Sequence, residues 1–205
     1  PPRLCQGASI QIDSILNEVN IGENNIKQDI VFRIMVNFDK LQKEIKEYDS
    51  LRENLIKKSR EVLKLSKQLI YSVHRDEDAK DLIASIETKR KELDLIAKNS
   101  PKLVFEGSYK IAIQEYVEAI LYYNFVKTGK LVDIKVQATH FVLGLADLPG
   151  ELVRKAVFLA GKGKNEQVRK IRDVVDDIYG QMLKFDFRDN EVRRKVDGIK
   201  YDLRK

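Results

Sequence analysis

One uninterrupted helical pattern, from about Ile26 to His74, constrains this fold more than any other part of the sequence. It contains no proline or glycine, apolar residues recur along it at spacings of three and four, and Asn24 or Asn25 is a candidate N-cap. A helix of this length far exceeds the usual range of about 8–20 residues. Because an isolated helix gains little stability without packing, the pattern predicts long antiparallel contacts or oligomerisation.

The rest of the chain reads as further helices separated by turns that contain glycine, proline or several charges. We expect helices over about 78–98, 101–128, 139–160 and 165–183, and a last one that begins at Asp189 or Asn190. Gly129 is expected to end the third of these six helices as its C′ residue. No strand-like alternation or internal repeat is found. The sequence therefore predicts an all-α fold, a single domain over residues 1–205 with six or seven helices.

Composition narrows the class of protein. The chain has 205 residues, 43% of them hydrophobic, with a net charge of +6 and a pI of about 9.2, which suits a polyanionic partner. Its single cysteine, Cys5, excludes an internal disulfide and a cysteine-rich zinc site, and favours a cytoplasmic location. No apolar run approaches the roughly 18 residues of a membrane span. Residues 1–24 differ from the rest in the kind of residues they contain, and we expect them to be disordered or partly foreign to the native protein.

Two glutamates lie inside the most apolar stretch, Ile111–Tyr123 (IAIQEYVEAILYY). Glu115 and Glu118 are its only charged residues, and their three-residue spacing puts both on one face of a helix. A helix that is apolar on nearly every side is normally buried, so these carboxylates need a partner from elsewhere. The pattern leaves two partners open: a lysine or arginine of another helix, or a divalent metal ion. Oxygen ligands without a nearby histidine or cysteine suit Mg²⁺, Mn²⁺ or Ca²⁺ and not Zn²⁺.

A second pair of carboxylates, Asp147 and Glu151, lies in an equally apolar stretch, FVLGLADLPGELV. Their four-residue spacing again gives one helix face. Each also has a local interpretation. Asp147, just before Pro149, fits the N-cap of a helix that begins after it or a proline kink, and Glu151 fits an ion pair with Arg154 or Lys155. The coincidence of two such pairs favours a functional interpretation over the local ones, although spacing alone does not show that the two pairs converge.

The segment Leu51–Arg75 is strongly basic, with seven Lys or Arg against two Glu. Six of its residues recur at spacings of three or four and form what we call the basic stripe: Lys57, Arg60, Lys64, Lys67, Tyr71 and Arg75. One interpretation is the solvated face of an amphipathic helix. The other is a surface that follows a phosphate backbone with little sequence preference. Arg154, one helical turn beyond Glu151, is a further candidate for binding phosphate.

The remaining reactive residues predict no site. His74 and His140 have no partner at metal-ligand spacing, so each is predicted to be hydrogen-bonded or exposed and not catalytic. The GKGK sequence at 161–164 lacks the spacing of a P-loop and fits a loop at the end of a helix.

Four stretches together resemble the translin family, and its translin-associated factor X branch more than translin itself. Leu55–Arg75 resembles the long basic helix of that branch, and Gln114–Leu131 its acidic helix with the turn that follows. Leu143–Val157 (LGLADLPGELVRKAV) is similar to its Asp-Leu-Thr-Gly-Glu-Leu-x-Arg signature, with Pro149 in place of Thr. Val192–Lys205 is similar to the last helix of the family.

The resemblance covers about residues 28–205 and implies an all-α fold of about seven helices in a closed homo-oligomer of the prokaryotic type, commonly an octameric barrel that accommodates RNA. It also implies the activity of the factor X branch, a metal-dependent endoribonuclease. By this resemblance Glu115, Glu118 and Asp147 are the catalytic acids and metal ligands, Glu151 is a further ligand, and Mg²⁺ or Mn²⁺ is the cofactor. The presence of all four acids favours the nuclease branch.

Three functions follow as hypotheses. The first is a magnesium-dependent endoribonuclease that cleaves single-stranded or flexible RNA inside an oligomeric barrel. The second is a translin-like protein that binds single-stranded RNA or DNA without catalysis, and the third is a structural helical oligomer. The first hypothesis predicts that the four carboxylates converge within about 5 Å of one point, as the ligands of one ion must.

Overall fold

Helices make up nearly all of the chain that the computed structural model describes, residues 37–204. Six α-helices and one 3₁₀ turn occur in this range: α1 Phe38–His74, α2 Lys80–Ala97, the 3₁₀ turn Leu103–Phe105, α3 Gly107–Thr128, α4 Ala138–Gly161, α5 Asn165–Met182 and α6 Asn190–Asp202. Residues 37–204 contain no strand. The predicted all-α class is therefore confirmed, and the helices fall where the sequence pattern puts them, with two exceptions. The first is α1, which begins at Phe38. Asn37 is not helical, and its side chain accepts a hydrogen bond from Lys40 N at 2.9 Å as an N-cap, so the pattern from Ile26 to His74 is not one uninterrupted helix.

The second exception is the start of α3, which is expected near residue 101 and lies at Gly107. Glu106 interrupts the helix because its backbone is extended, with φ −64° and ψ 132°. Its carboxylate accepts hydrogen bonds from the Tyr48 hydroxyl at 2.8 Å and from Arg52 Nε at 2.9 Å. These contacts to α1 favour the extended conformation over a continuous helix. At the other end, Gly129 has φ +73° and closes α3 as its sequence predicts.

The chain divides into two units, and the boundary between them falls within α1, after Glu47. In the first unit, the described residues 37–47 are exposed, with surface ion pairs Lys40–Glu44 at 3.8 Å and Lys43–Glu47 at 3.9 Å. The candidate N-cap at Asn24 or Asn25, Cys5 and the expectation for residues 1–24 lie outside the described range. The second unit, Tyr48–Lys205, contains the rest of the fold.

The core of the second unit is built around α3. Eleven of its residues are buried: Ala112, Ile113, Gln114, Tyr116, Val117, Glu118, Ala119, Ile120, Leu121, Tyr122 and Phe125. From α1, Leu55, Val62 and Leu69 are fully buried at seven-residue intervals, which is the periodicity of a helix that packs along its length. None of the helices within residues 37–204 is long and apolar enough to cross a membrane. The burial of eleven residues makes α3 a core helix.

A close approach of α3 and α4 depends on Gly144. A Cβ atom at this position would lie 2.6 Å from the Gln114 carbonyl oxygen and 2.7 Å from Val117 Cβ, well inside van der Waals contact. The absent side chain therefore lets the two helix backbones meet at this point. α4 also packs against α5 and α6, so it lies between α3 and the last two helices. This arrangement positions the predicted acidic residues.

Candidate active site

The two predicted pairs of carboxylates meet where α3 packs on α4. Gln114 of α3 donates a hydrogen bond from Nε2 to Asp147 Oδ2 of α4 at 2.6 Å. Asp147 and Glu151 are close enough to Glu115 and Glu118 to raise the pKa of both glutamates. Two acidic pairs that are distant in sequence thus form one cluster, which we call the acidic cluster.

Glu118 is the most deeply buried member of the acidic cluster, with 8% of its surface exposed. Among residues 37–204, no donor hydrogen-bonds to its carboxylate and no cation lies within 4.0 Å of it. Burial, as the largest cause, and the neighbouring charges of Asp147 and Glu115 together raise the pKa of Glu118 to about 8. The carboxyl group is therefore largely protonated at neutral pH unless a cation comes to it.

Glu115 is half-buried, and a lysine of α1 lies near its carboxylate. Lys67 Nζ of the basic stripe lies 3.9 Å from Glu115 Oε1, at the outer limit of an ion pair. Burial raises the pKa of Glu115, and Lys67 partly opposes this shift. The sequence left two partners open for these glutamates, a cation of another helix or a metal ion. Glu115 has a weak partner of the first kind, and within the described residues Glu118 has none.

Asp147 is paired with a lysine that sequence reasoning missed. Lys195 of α6 donates from Nζ to both carboxylate oxygens, at 2.6 Å to Oδ1 and 2.8 Å to Oδ2. The prediction that Asp147 caps the start of a helix is wrong, because α4 begins at Ala138 and runs through Pro149. Proline removes one backbone donor from the helix but does not end it here. Asp147 thus lies in the helix interior, facing α3 and α6.

Glu151 is paired with His74, the second residue that sequence reasoning missed. His74 Nε2 lies 2.5 Å from Glu151 Oε2, and its Nδ1 lies 2.9 Å from the hydroxyl of the buried Tyr122. Because a carboxylate only accepts, Nε2 donates to Glu151, and in the neutral ring Nδ1 accepts from Tyr122. This contact with His74 lowers the pKa of Glu151. The prediction of a hydrogen-bonded His74 is therefore confirmed, although its partner belongs to the acidic cluster.

Of the two local ion-pair partners predicted for Glu151, the structure shows Arg154 near it but not Lys155. Arg154 Nη1 lies 3.5 Å from Glu151 Oε2, as the three-residue spacing predicts. Lys155 is not a partner. It is buried and donates instead to Asp76 Oδ1 at 2.7 Å and to the Val73 carbonyl at 3.3 Å. Lys155 thereby binds a carbonyl in the last turn of α1 and also Asp76 in the turn that follows, whose backbone is left-handed with φ +58°.

The chemistry of the acidic cluster fits a divalent ion, but its present side-chain arrangement does not form a ligand sphere. Four carboxylates are hard oxygen donors of the kind that Mg²⁺ and Mn²⁺ take. Within residues 37–204, however, no three His, Cys, Asp or Glu side chains are grouped so that they could hold a metal ion. The predicted convergence on one point is therefore not found in the described part of the chain. Instead, Lys195 and His74 form hydrogen bonds with the two carboxylates of α4.

The basic stripe lies on the exposed side of α1. All six of its residues are exposed, while the opposite side of the helix carries the buried Leu55, Val62 and Leu69. The solvated face that the sequence predicts is thus present. Lys67 connects the basic stripe to the acidic cluster through Glu115.

Comparison with known proteins places this all-α fold in a defined class. The sequence matches the Translin family over residues 50–138 and 132–205. It is 33% identical to an uncharacterized protein of Methanocaldococcus jannaschii over 159 residues, which cover 73% of this chain and 70% of that protein. The chain therefore belongs to the Translin family.

Named relatives and solved structures agree with the factor X branch. The chain is 23% identical to Translin-associated protein X of Rattus norvegicus over 221 residues, covering 84% of this chain and 75% of that protein. It superimposes on apo-NeC3PO with a TM-score of 0.75 and 26% identity, covering 83% of this chain and 94% of the other. For AfC3PO in complex with duplex RNA the TM-score is 0.69 at 25% identity, covering 82% and 92%.

Proposed function

We propose that this protein is a metal-dependent endoribonuclease that cleaves single-stranded or flexible RNA within a homo-oligomer. The observation that carries the proposal is Glu118, a buried carboxylate without a nearby cation in the described chain, among three further carboxylates. An uncompensated buried carboxylate is costly, so it is expected where function requires it. Family membership and a similar structure described as a duplex RNA complex support RNA as the partner.

Glu115, Glu118 and Asp147 are the residues that would hold Mg²⁺ or Mn²⁺, with Glu151 as a further ligand or as the base. Such an ion supplies Lewis-acid stabilisation of the phosphate and activation of a water. On the protein side, His74 orients Glu151 and keeps its carboxylate ionised, so Glu151 Oε1 can accept a proton from water. Lys195 orients Asp147 and contributes a positive charge at the acidic cluster.

Substrate binding is assigned to the basic stripe and to Arg154. Lys57, Arg60, Lys64, Lys67 and Arg75 would contact backbone phosphates, and Arg154 would contact the phosphate next to Glu151. Lys67 lies within 3.9 Å of Glu115, so a strand held by the basic stripe passes beside the carboxylates. The oligomeric barrel of the proposal, an octamer by resemblance, would enclose this path.

The test is cleavage of a labelled single-stranded RNA with Mg²⁺ or Mn²⁺ by the wild type and by Glu118→Gln and Asp147→Asn. Both substitutions keep the side-chain shape and remove a charge, so we expect cleavage to fall by at least about a hundredfold, the range seen when an electrostatic catalytic group is removed. Glu166→Gln on α5 is the matched control, because Glu166 is exposed and pairs with Lys170, away from the acidic cluster. Unchanged cleavage in both cluster variants would refute the assignment.

The second candidate is RNA or single-stranded DNA binding without catalysis. The specific observation in its favour is that Lys195 and His74 already pair with the two carboxylates of α4. The same assay separates the two functions, because salt-sensitive binding by a wild type that cleaves nothing with either ion supports the second. Titration calorimetry with Mn²⁺ gives an independent readout, since only the nuclease proposal predicts a Mn²⁺ site that Glu118→Gln removes.

A further inference from the structure

An open groove of about 590 Å³ lies against the basic stripe. Two of its lysines are assigned to phosphates above, and its aromatic residue has no role there. Five residues of α1 and one of α2 line it: Lys64, Lys67, Gln68, Tyr71, Ser72 and Leu82. Its volume falls in the range of small-ligand sites, about 300–1,000 Å³. The lining combines two cations, an amide, a hydroxyl and an aromatic ring, which is the composition of a site for a charged, planar ligand.

Tyr71 provides an exposed aromatic surface that its neighbours hold in place. About half of the residue, 54%, is exposed. The Arg75 guanidinium carbon lies 5.4 Å from the ring centroid, and Arg75 Nη1 donates to the Tyr71 hydroxyl at 3.2 Å. Arg75 is fixed in turn by Glu77, at 2.7 Å from its Nε. The ring is therefore oriented before a ligand arrives, which reduces the entropy lost on binding.

The groove continues toward the acidic cluster. Lys67 lines the groove and also reaches Glu115 at 3.9 Å, and Tyr71 is one helical turn further along α1. From Lys64 to Ser72, the first and last residues of α1 that line the groove, the helix rises by about 12 Å, at 1.5 Å per residue. A ligand that spans this distance and carries repeated negative charge beside planar groups is a nucleic acid strand.

We propose that this groove binds an unpaired nucleobase of the RNA strand, with Tyr71 as the stacking surface and Lys64 and Lys67 on the flanking phosphates. The inference rests on the proposed RNA-binding function. Stacking on an aromatic ring accepts any base, and only an unpaired base has its face free for it. The groove therefore favours single strands, loops and ends over continuous duplex next to the carboxylates.

The test measures binding of a short fluorescein-labelled oligouridylate in EDTA, so that no cleavage occurs, against the same strand paired with oligoadenylate. Tyr71→Ala is expected to weaken single-strand binding on the order of tenfold or more, the effect of removing one stacking residue. Duplex binding should change less than about twofold, because phosphate contacts remain. Tyr71→Phe should retain wild-type affinity for both.

Tyr201→Ala is the matched control, since Tyr201 is also exposed and also has basic side chains over its ring, Lys200 at 5.1 Å and Arg204 at 5.7 Å. A second arm leaves the protein unaltered and removes a base instead. An abasic nucleotide placed at successive positions should weaken wild-type binding at one position, and Tyr71→Ala should not weaken that complex further.

Equal losses for single strand and duplex, no loss in Tyr71→Ala, or additive effects of Tyr71→Ala and the abasic site would each overturn the stacking role. In those cases the wild type still binds RNA, so the proposed function stands. A wild type that binds no RNA at low salt overturns both together.

Discussion

At the scale of single residues, the acidic cluster divides into two kinds of carboxylate. Burial raises the pKa of Glu118 and of Glu115 on α3, whereas His74 lowers the pKa of Glu151 on α4. Neighbouring carboxyl groups whose pKa values are pushed apart can take different roles in one reaction. The α3 pair is therefore the part of the cluster that gains most from a cation, and Glu151 is the part already ionised.

Substitution of Glu118 by Gln should make stability less dependent on pH. Between pH 4.5 and about 8 the folded protein keeps the Glu118 proton and the unfolded chain does not, so the wild type loses stability as pH rises through this window. Gln carries no such penalty. In EDTA, the melting temperature of Glu118→Gln minus that of the wild type should therefore increase from pH 5 to pH 9.

Glu166→Gln serves as the control for this prediction. Glu166 is fully exposed, and its hydrogen bond to Lys170 lowers its pKa, so it stays ionised across the same pH range in both folded and unfolded chains. A melting-temperature difference for Glu118→Gln that is flat between pH 5 and pH 9 would contradict the raised pKa.

His74→Phe should destabilise the protein by roughly 1–3 kcal/mol, because it leaves the buried Tyr122 hydroxyl without its acceptor and Glu151 without its donor. Urea unfolding measures the change. In a double-mutant cycle with Glu151→Gln, the two losses should not add, since both substitutions break the same contact. Strict additivity would mean that His74 and Glu151 do not act together. Cleavage by His74→Phe should fall as well.

At the scale of helices, the contact between α3 and α4 decides whether a site exists. The spacing within each helix puts its own two carboxylates on one face, but only packing brings the faces together. Gly144 is the residue that permits this, since a side chain there would collide with Gln114 and Val117. Gln114 also forms a hydrogen bond across the contact to Asp147, so a shift of either helix would disturb the cluster directly.

Gly144→Ala should destabilise the fold by about 1–3 kcal/mol through overpacking, and should reduce RNA cleavage beyond what the remaining folded fraction explains. Gly150→Ala is the matched control on the same helix, because a Cβ there meets nothing within 4 Å. It should be neutral or stabilising by up to about 1 kcal/mol, from helix propensity alone. Chemical denaturation and cleavage rates are measured on both. Equal stability and activity of the two variants would contradict the role given to Gly144.

At the scale of the whole molecule, charge is separated between a basic surface and a buried acidic site. The net charge of +6 favours a polyanion in general, and the basic stripe concentrates exposed cations on one side of α1. The acidic cluster lies beside it, joined through Lys67 and Glu115. Under the proposed function, long-range attraction of RNA would act through the stripe, and the chemistry would be confined to the cluster.

The salt dependence of RNA binding should show that the lysines of the basic stripe contact the phosphates. For single strands, the logarithm of the binding constant falls with the logarithm of salt concentration by about 0.7 per neutralised phosphate. Replacing both Lys64 and Lys67 by Ala should therefore make the slope shallower by about 1.4. Replacing Lys170 and Lys184 removes the same charge outside the stripe and should leave the slope unchanged. Equal slopes in the two double variants would refute the stripe as the phosphate contact.

Most of the fold was predictable because it depends on local patterns. The bounds of α2, α4, α5 and α6 follow from apolar spacing, and Gly129 marks the end of α3 through its left-handed backbone. The start of α3 was not predictable, since it depends on Glu106 reaching Tyr48 and Arg52 of another helix. The same reason explains why the two partners of the acidic cluster were missed: His74 is 77 residues from Glu151, and Lys195 is 48 residues from Asp147.

The sequence by itself determined the helical class, the burial of Glu118 within an apolar helix and the exposed basic stripe. These are consequences of composition and periodicity along one segment, so no other part of the chain is needed to derive them. Only the tertiary structure decided which carboxylates become neighbours, which of them pair with Lys195 and His74, and which is left without a cation in the described chain. Those outcomes depend on contacts between helices far apart in sequence, and local spacing carries no information about such contacts.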